Sequence, residues 1–130
     1  MDPGFVEAHI RLGAFYDDID QPALALEQFN GALVLEPQSS PATLAKAAVL
    51  MTLNRPAEAE QAARRALQLS PGLIEAHYLI GAALVVQEKV TPLNRLRLAE
   101  AAEHLRIAAY KLPQAQPFLA AAQARLAESR

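Results

Sequence analysis

The sequence predicts an all-α solenoid, in which antiparallel helix pairs stack side by side and a single C-terminal helix closes the end. Three observations carry this. Pro3, Pro37 and Pro71 stand 34 residues apart, and the segments around them repeat as DPGFVEAHIRLGAFY, EPQSSPATLAKAAVL and SPGLIEAHYLIGAAL. A fixed period of this length marks units that bury their apolar faces only against their neighbours. Within a unit, Val6, Ile10, Gly13 and Ala14, then Ala25, Phe29, Ala32 and Leu33, fall at helical intervals. Finally, 52% of the 130 residues are hydrophobic but only 5% are aromatic, which suits close helix packing more than a bulky core.

The elements follow in order. Pattern and punctuation place helices near 5–18, 21–35, 41–53, 55–69, 73–89, 92–111 and 116–128. Asp20-Gln21-Pro22 and Asn54-Arg55-Pro56 each put a capping side chain and an early proline at the second helix of a unit, and Ser40-Pro41 and Thr91-Pro92 repeat the device. Small residues at Gly13, Ala47 and Gly81, and at Ala25, Ala59 and Ala101, let the two helices of each pair approach closely. The last helix, PFLAAAQARLAESR, carries Phe118, Leu119, Ala122 and Leu126 on one side and polar groups on the other, as an end cap requires. The whole chain reads as one domain, with units at about 6–39, 40–73 and 74–115 and a capping helix at about 116–128.

The first unit reads His9-x2-Leu12-Gly13-x2-Tyr16, Ala25-x3-Phe29-x2-Ala32, Pro37. This closely resembles the tetratricopeptide repeat, with His9 in place of the family's tryptophan. The third unit keeps His77, Ile80, Gly81, Leu84, Ala101, Leu105, Ala108 and Pro113; the middle one keeps the spacing through Thr43, Lys46, Ala47, Leu50, Ala59, Ala63, Ala66 and Pro71. The resemblance implies a right-handed solenoid whose first helices line a concave groove for a peptide or helix. Carried over by repeat alignment, that groove comprises Ile10, Ala14 and Asp17 from the first unit, Leu44, Ala48 and Met51 from the second, and Tyr78, Ala82 and Val85 from the third. It is apolar at its middle and far end, with Asp17 and Asp18 as acids at one margin. Such a face suits an amphipathic helix or apolar segment, and the C-terminal helix or a second copy could also fill it. Family members that grip acidic C-terminal tails use lysine, asparagine and arginine at places occupied here by Ile10, Ala14, Ala45, Glu75 and Leu79. That clamp is missing.

The third unit departs by length. Gly81 to Pro113 spans 32 residues against 24 from Gly13 to Pro37, an insertion of eight between its helices. The expected result is a projecting hairpin bearing Val90, Leu93, Arg95, Leu96 and Arg97, a candidate contact surface; the alternative is a tip folded back on its own stem. Lys46, standing where Leu12 and Ile80 stand, is the remaining oddity, and snorkelling explains it.

Chemistry is not expected. His9 and His77 lie on different first helices, too far apart to share a metal, and His104 pairs with Glu100 one turn earlier. Asp17, Asp18 and Asp20 lack the glycine and later glutamate of a calcium loop, and Asp20 reads as a cap. There is no cysteine, no nucleophile beside a base, and no glycine-rich phosphate loop. The expectation is therefore a non-catalytic interaction scaffold without metal or cofactor, with a protein or peptide partner. Self-association into a homo-oligomer, or service as the substrate-presenting arm of a larger enzyme, are the alternatives. No dense basic stripe with interleaved aromatics suggests nucleic acid, and no apolar run approaches the roughly 20 residues of a membrane span. The start lacks a basic region and apolar segment, so cytoplasm is the expected compartment; Asp2-Pro3, however, looks like the tail of a preceding repeat. Charge is uneven. Residues 1–40 hold seven acids and one base, a net −6, and the remainder nets +4; ordinary solvated faces account for this, and head-to-tail contacts between copies are the alternative.

Overall fold

The computed structural model describes residues 3–90 and 95–128. Seven helices follow one another: α1 Pro3–Asp18, α2 Pro22–Leu35, α3 Ser40–Thr52, α4 Pro56–Leu69, α5 Ile74–Val90, α6 Arg95–Ala109 and α7 Ala115–Glu128. Among the described residues there is no strand, and no helix is long and apolar enough to cross a membrane. Each helix packs on its sequence neighbours. The pairs α1/α2, α3/α4 and α5/α6 stack in order, α7 closes the row against α6, and α1, α3 and α5 touch along one side.

Glycine and alanine set how closely the pairs approach. A Cβ at Gly13 would sit 2.5 Å from the Phe29 ring, and one at Gly81 would overlap Leu105. Ala25, Ala47, Ala59 and Ala101 are fully buried at the same seams. Prolines set the starts: Pro22, Pro41 and Pro56 occupy the first helical turn, where the missing N–H costs nothing. The stops repeat as well. The N–H groups of Glu36 and Ser70 donate back to Ala32 and Ala66, just before Pro37 and Pro71.

The caps differ from expectation. Asp20 and Asn54, one repeat apart, cap nothing; they hold the left-handed backbone of the tight turn at φ 59° and 58°, a conformation aspartate and asparagine tolerate better than most side chains. Gln21 and Arg55 occupy the N-cap position without a side-chain bond. At α3 the cap is Ser39, not Ser40: its hydroxyl accepts from the Ala42 N–H at 3.2 Å, and the Thr43 hydroxyl donates to the Ser39 carbonyl at 2.7 Å. Thr91 and Pro92 lie outside the described residues.

The core is uneven. One apolar cluster runs from Ala47 and Ala63 through Ile80, Leu84 and Leu105 to Leu119 and Ala122, joining α3 through α7. The first unit is held by two small clusters, one around Val6, Ala32 and Ala42, the other around Ala25, Phe29 and Val49.

Candidate peptide groove

The side formed by α1, α3 and α5 carries the residues expected to line a groove. Ile10, Leu44, Met51 and Tyr78 are half-buried, their inner atoms on the core and their outer ones open to solvent. Ala14 and Ala48 are exposed between them, and Asp17 and Asp18 stand exposed at the α1 end. Glu75 is exposed on the first turn of α5.

The third unit's share of the groove is taken. Ala82 and Val85 are 1% and 4% exposed, because α7 lies against α5. Phe118 of α7 meets Tyr78 edge-on, ring centroids 5.9 Å apart, and burial pushes the Tyr78 phenol pKa up. Ala82 and Val85 are therefore core residues of the closed end, and the open groove is that of the first two units with Tyr78 as its floor at the far side.

The insertion explains how α7 is held. α1 and α3 end at the Asp20 and Asn54 turns, but α5 runs on through the equivalent residue, Glu88. Glu88 is 8% exposed and accepts from Arg125 of α7 at 2.6 and 3.1 Å. Arg95, at the start of α6, donates to the Leu126 carbonyl at 2.7 Å. Arg97 turns inward to Glu60 of α4 at 2.8 and 3.1 Å. Of the expected projecting surface, Leu96 and Arg95 are exposed and Arg97 is half-buried; both arginines reach back onto the fold, and Leu93 lies outside the described residues.

Arg97 joins a polar cluster that single-residue reading missed. Glu60, 9% exposed, accepts from Arg64 at 2.9 Å and Gln87 at 2.8 Å as well as from Arg97. Burial pushes its carboxyl up, but these bonds and the two guanidinium charges more than offset that and leave it below its ordinary value. Arg64 also grips Glu100 with two bonds, at 2.8 and 2.9 Å, which lowers that carboxyl. The available signal was positional: Glu60 stands where the other units have Leu26 and Ala102. His104 is likewise not the exposed partner of Glu100 alone. Its Nδ1 lies 2.7 Å from Nδ1 of His77, its side chain is 16% exposed, and Glu100 is 3.7 Å from its Nε2. His9 makes the equivalent contact in the first unit, to Gln28 at 2.9 Å. No group of three or more metal-ligating side chains occurs among the described residues.

Three stacked antiparallel pairs, their first helices on one side and a closing helix at the end, define the tetratricopeptide-type fold. The sequence matches no protein-family model and no curated protein. Solved structures place it clearly. The first tetratricopeptide domain of Spaghetti (RPAP3), bound to the HSP90 peptide SRMEEVD, superposes at a TM-score of 0.84 with 19% identity, covering 98% of this chain and 97% of that one. The Arabidopsis OM64 domain gives 0.75 with 22% identity over 98% of both chains. The second B domain of yeast Sti1, in complex with an Hsp70 peptide, gives 0.79 with 16% identity over 92% of this chain and 97% of its own.

Proposed function

We propose that the chain is a non-catalytic interaction module that binds an amphipathic helix or apolar peptide segment in the groove of its first two units. The observation that carries this reading is the row Ile10, Leu44, Met51 and Tyr78, half-buried and open on one side, with exposed acids only at its margins. Solved neighbours of the same fold hold HSP90 and Hsp70 peptides, which supports a peptide as the class of partner. The chemistry differs from theirs. Ile10, Ala14, Ala45, Glu75 and Leu79 offer no cation to an acidic tail, whereas Asp17 and Asp18 favour a segment with lysine or arginine at one end.

A designed amphipathic peptide with leucines along one face and a terminal lysine pair tests this by calorimetry, against the same peptide with glutamates and against SRMEEVD. The basic peptide should bind best. Met51→Glu, which puts a charge without a counter-ion into the apolar row, should weaken it at least tenfold while helicity is kept. Binding that ignores Met51→Glu, or a preference for SRMEEVD, would overturn the reading.

Self-association is the second reading, favoured by the outer face of α1. Phe5, Ala8, Leu12 and Phe15 are exposed there, although the equivalent Ala42, Val49, Ala76, Ile80 and Ala83 are covered by the preceding pair. Solution mass of the parent and of Leu12→Lys with Phe15→Lys separates the two.

A further inference from the structure

The three units carry the same position in three different ways. In the first, His9 of α1 and Gln28 of α2 meet at 2.9 Å, the imidazole lying over Gly31. In the third, His77 and His104 meet through their Nδ1 atoms at 2.7 Å, ring centroids 5.0 Å apart and tilted. The repeat-equivalent residues of the middle unit are Thr43 and Ala62. Neither reaches across. A cleft of about 340 Å³ remains between α3 and α4, with half-buried Leu33 and Ala62 on its walls and the almost fully buried Leu50 and Thr43 beneath them.

Two cations border the same cleft at positions where the sister units have none. Lys46 replaces Leu12 and Ile80, and Arg65 replaces Gly31 and Ile107. Neither makes a side-chain hydrogen bond or ion pair among the described residues. The cleft's acid, Glu58, is occupied by Arg55, which holds it at 2.5 and 2.7 Å and lowers its pKa; Lys46 is a lesser influence on it. The space is thus sized for the planar groups its sisters contain, apolar at its base and cationic at its mouth. Its volume falls at the small end of the roughly 300–1,000 Å³ of small-molecule sites.

We propose that this cleft is a binding site for a small carboxylate with a planar aromatic body, the ring between Thr43, Ala62, Leu33 and Leu50 and the carboxylate on Arg65 and Lys46. A guanidinium matches a carboxylate with two parallel bonds, and the ammonium adds a point charge beside it. The site is separate from the peptide groove and stands whether or not that reading holds.

The probe is 2-naphthoate, titrated into the full chain by calorimetry and by amide chemical shifts, with 2-naphthamide as the neutral control of the same shape. Naphthoate should bind with shifts centred on residues 43, 46, 62 and 65, and at least tenfold more tightly than the amide. Arg65→Gln and Lys46→Met should each weaken it at least fivefold. Thr43→His with Ala62→Gln, which installs the first unit's own pair, should abolish binding, while Met51→Glu in the groove should leave it unchanged. If the filling variant loses helicity, the two cation variants decide. Equal binding of acid and amide, no binding at millimolar naphthoate, or indifference to both cation variants would overturn the proposal. So would binding of acetyl-Phe-Asp-amide without binding of naphthoate, which would assign the cleft to an acidic protein segment instead.

Discussion

The first helix pair and the last three helices are built from the same repeat, yet they are held together differently. α1 and α2 rest on two small apolar clusters, and the outer face of α1 is bare, with Phe15 53% exposed where its third-unit counterpart Ala83 is fully buried. From α3 onward one continuous apolar cluster is overlaid by charge-assisted bonds, with Glu60 tying α4 to α5 and α6, Arg64 tying α4 to α6, and Glu88 tying α5 to α7. In a solenoid, stability is close to a sum of unit and neighbour-interface terms, so the two ends should open independently. The proposed groove lies on the end with fewer internal ties.

The sharpest test of that contrast compares two core truncations. Phe29→Ala removes the ring that fills the seam at Gly13 and should cost about 3–5 kcal/mol, and Leu105→Ala in the large cluster about 2–5 kcal/mol. The magnitudes overlap, but their reach should not. Hydrogen exchange should show Phe29→Ala exposing amides of α1 and α2 while α4 to α7 stay protected. Leu105→Ala should speed exchange throughout α3 to α7. Uniform loss in both variants would mean that the domain unfolds as one unit and that the uneven core has no energetic consequence.

A smaller effect is expected at Glu60. Glu60→Gln keeps the shape but removes the carboxylate that Arg97 and Arg64 share, while Arg64 keeps its two bonds to Glu100. Removing one member of a buried ion cluster is usually costly. These arginine side chains are 35% and 39% exposed, and solvent screens them, so about 1–2 kcal/mol is the expected loss. It should appear in the melting of α4 to α7 and leave exchange in α1 and α2 unchanged; a change confined to α1 and α2 would break the comparison.

Most of the fold was legible because repeat spacing, small residues and prolines are local signals with few alternative explanations. Proline at the first turn and proline after the last fixed α2, α3 and α4 to within a residue. The caps were less legible: Asp20 suits an N-cap and a left-handed turn equally, and only the closure geometry chooses between them. The face shared by the first helices was legible as a register but not as a surface, since whether Ala82 and Val85 are open depends on where α7 lies. That in turn depends on Glu88 and Arg125, 37 residues apart in sequence. The insertion showed a similar limit. Its arginines read as cations for a partner because nothing in the linear pattern placed Glu60 or the Leu126 carbonyl beside them.

The smallest predicted effect concerns the two histidines of the closed end. Burial lowers the pKa of His77, and it lowers that of His104, where His77 adds to the effect, Glu100 opposes it and Arg64 contributes a further lowering. Their Nδ1 atoms are 2.7 Å apart, so one must donate and the other accept, and two imidazolium ions would point donors at each other. A histidine whose folded pKa lies below its unfolded value of about 6.5 is stabilising in its neutral form. The unfolded chain then binds more protons through this window, so stability is complete above about pH 7 and declines as pH falls below 6.5. The lowered carboxyls of Glu60 and Glu100 act in the same direction but only near and below their ordinary value of 4.5, so the interval from pH 7 to 5.5 isolates the histidines. His104→Gln reproduces the His9–Gln28 pair of the first unit and removes one titrating member. The melting temperature of the parent should fall by a few degrees between pH 7 and 5.5, and that of His104→Gln by clearly less. Equal slopes in parent and His104→Gln would show that the pair contributes nothing to stability in this range.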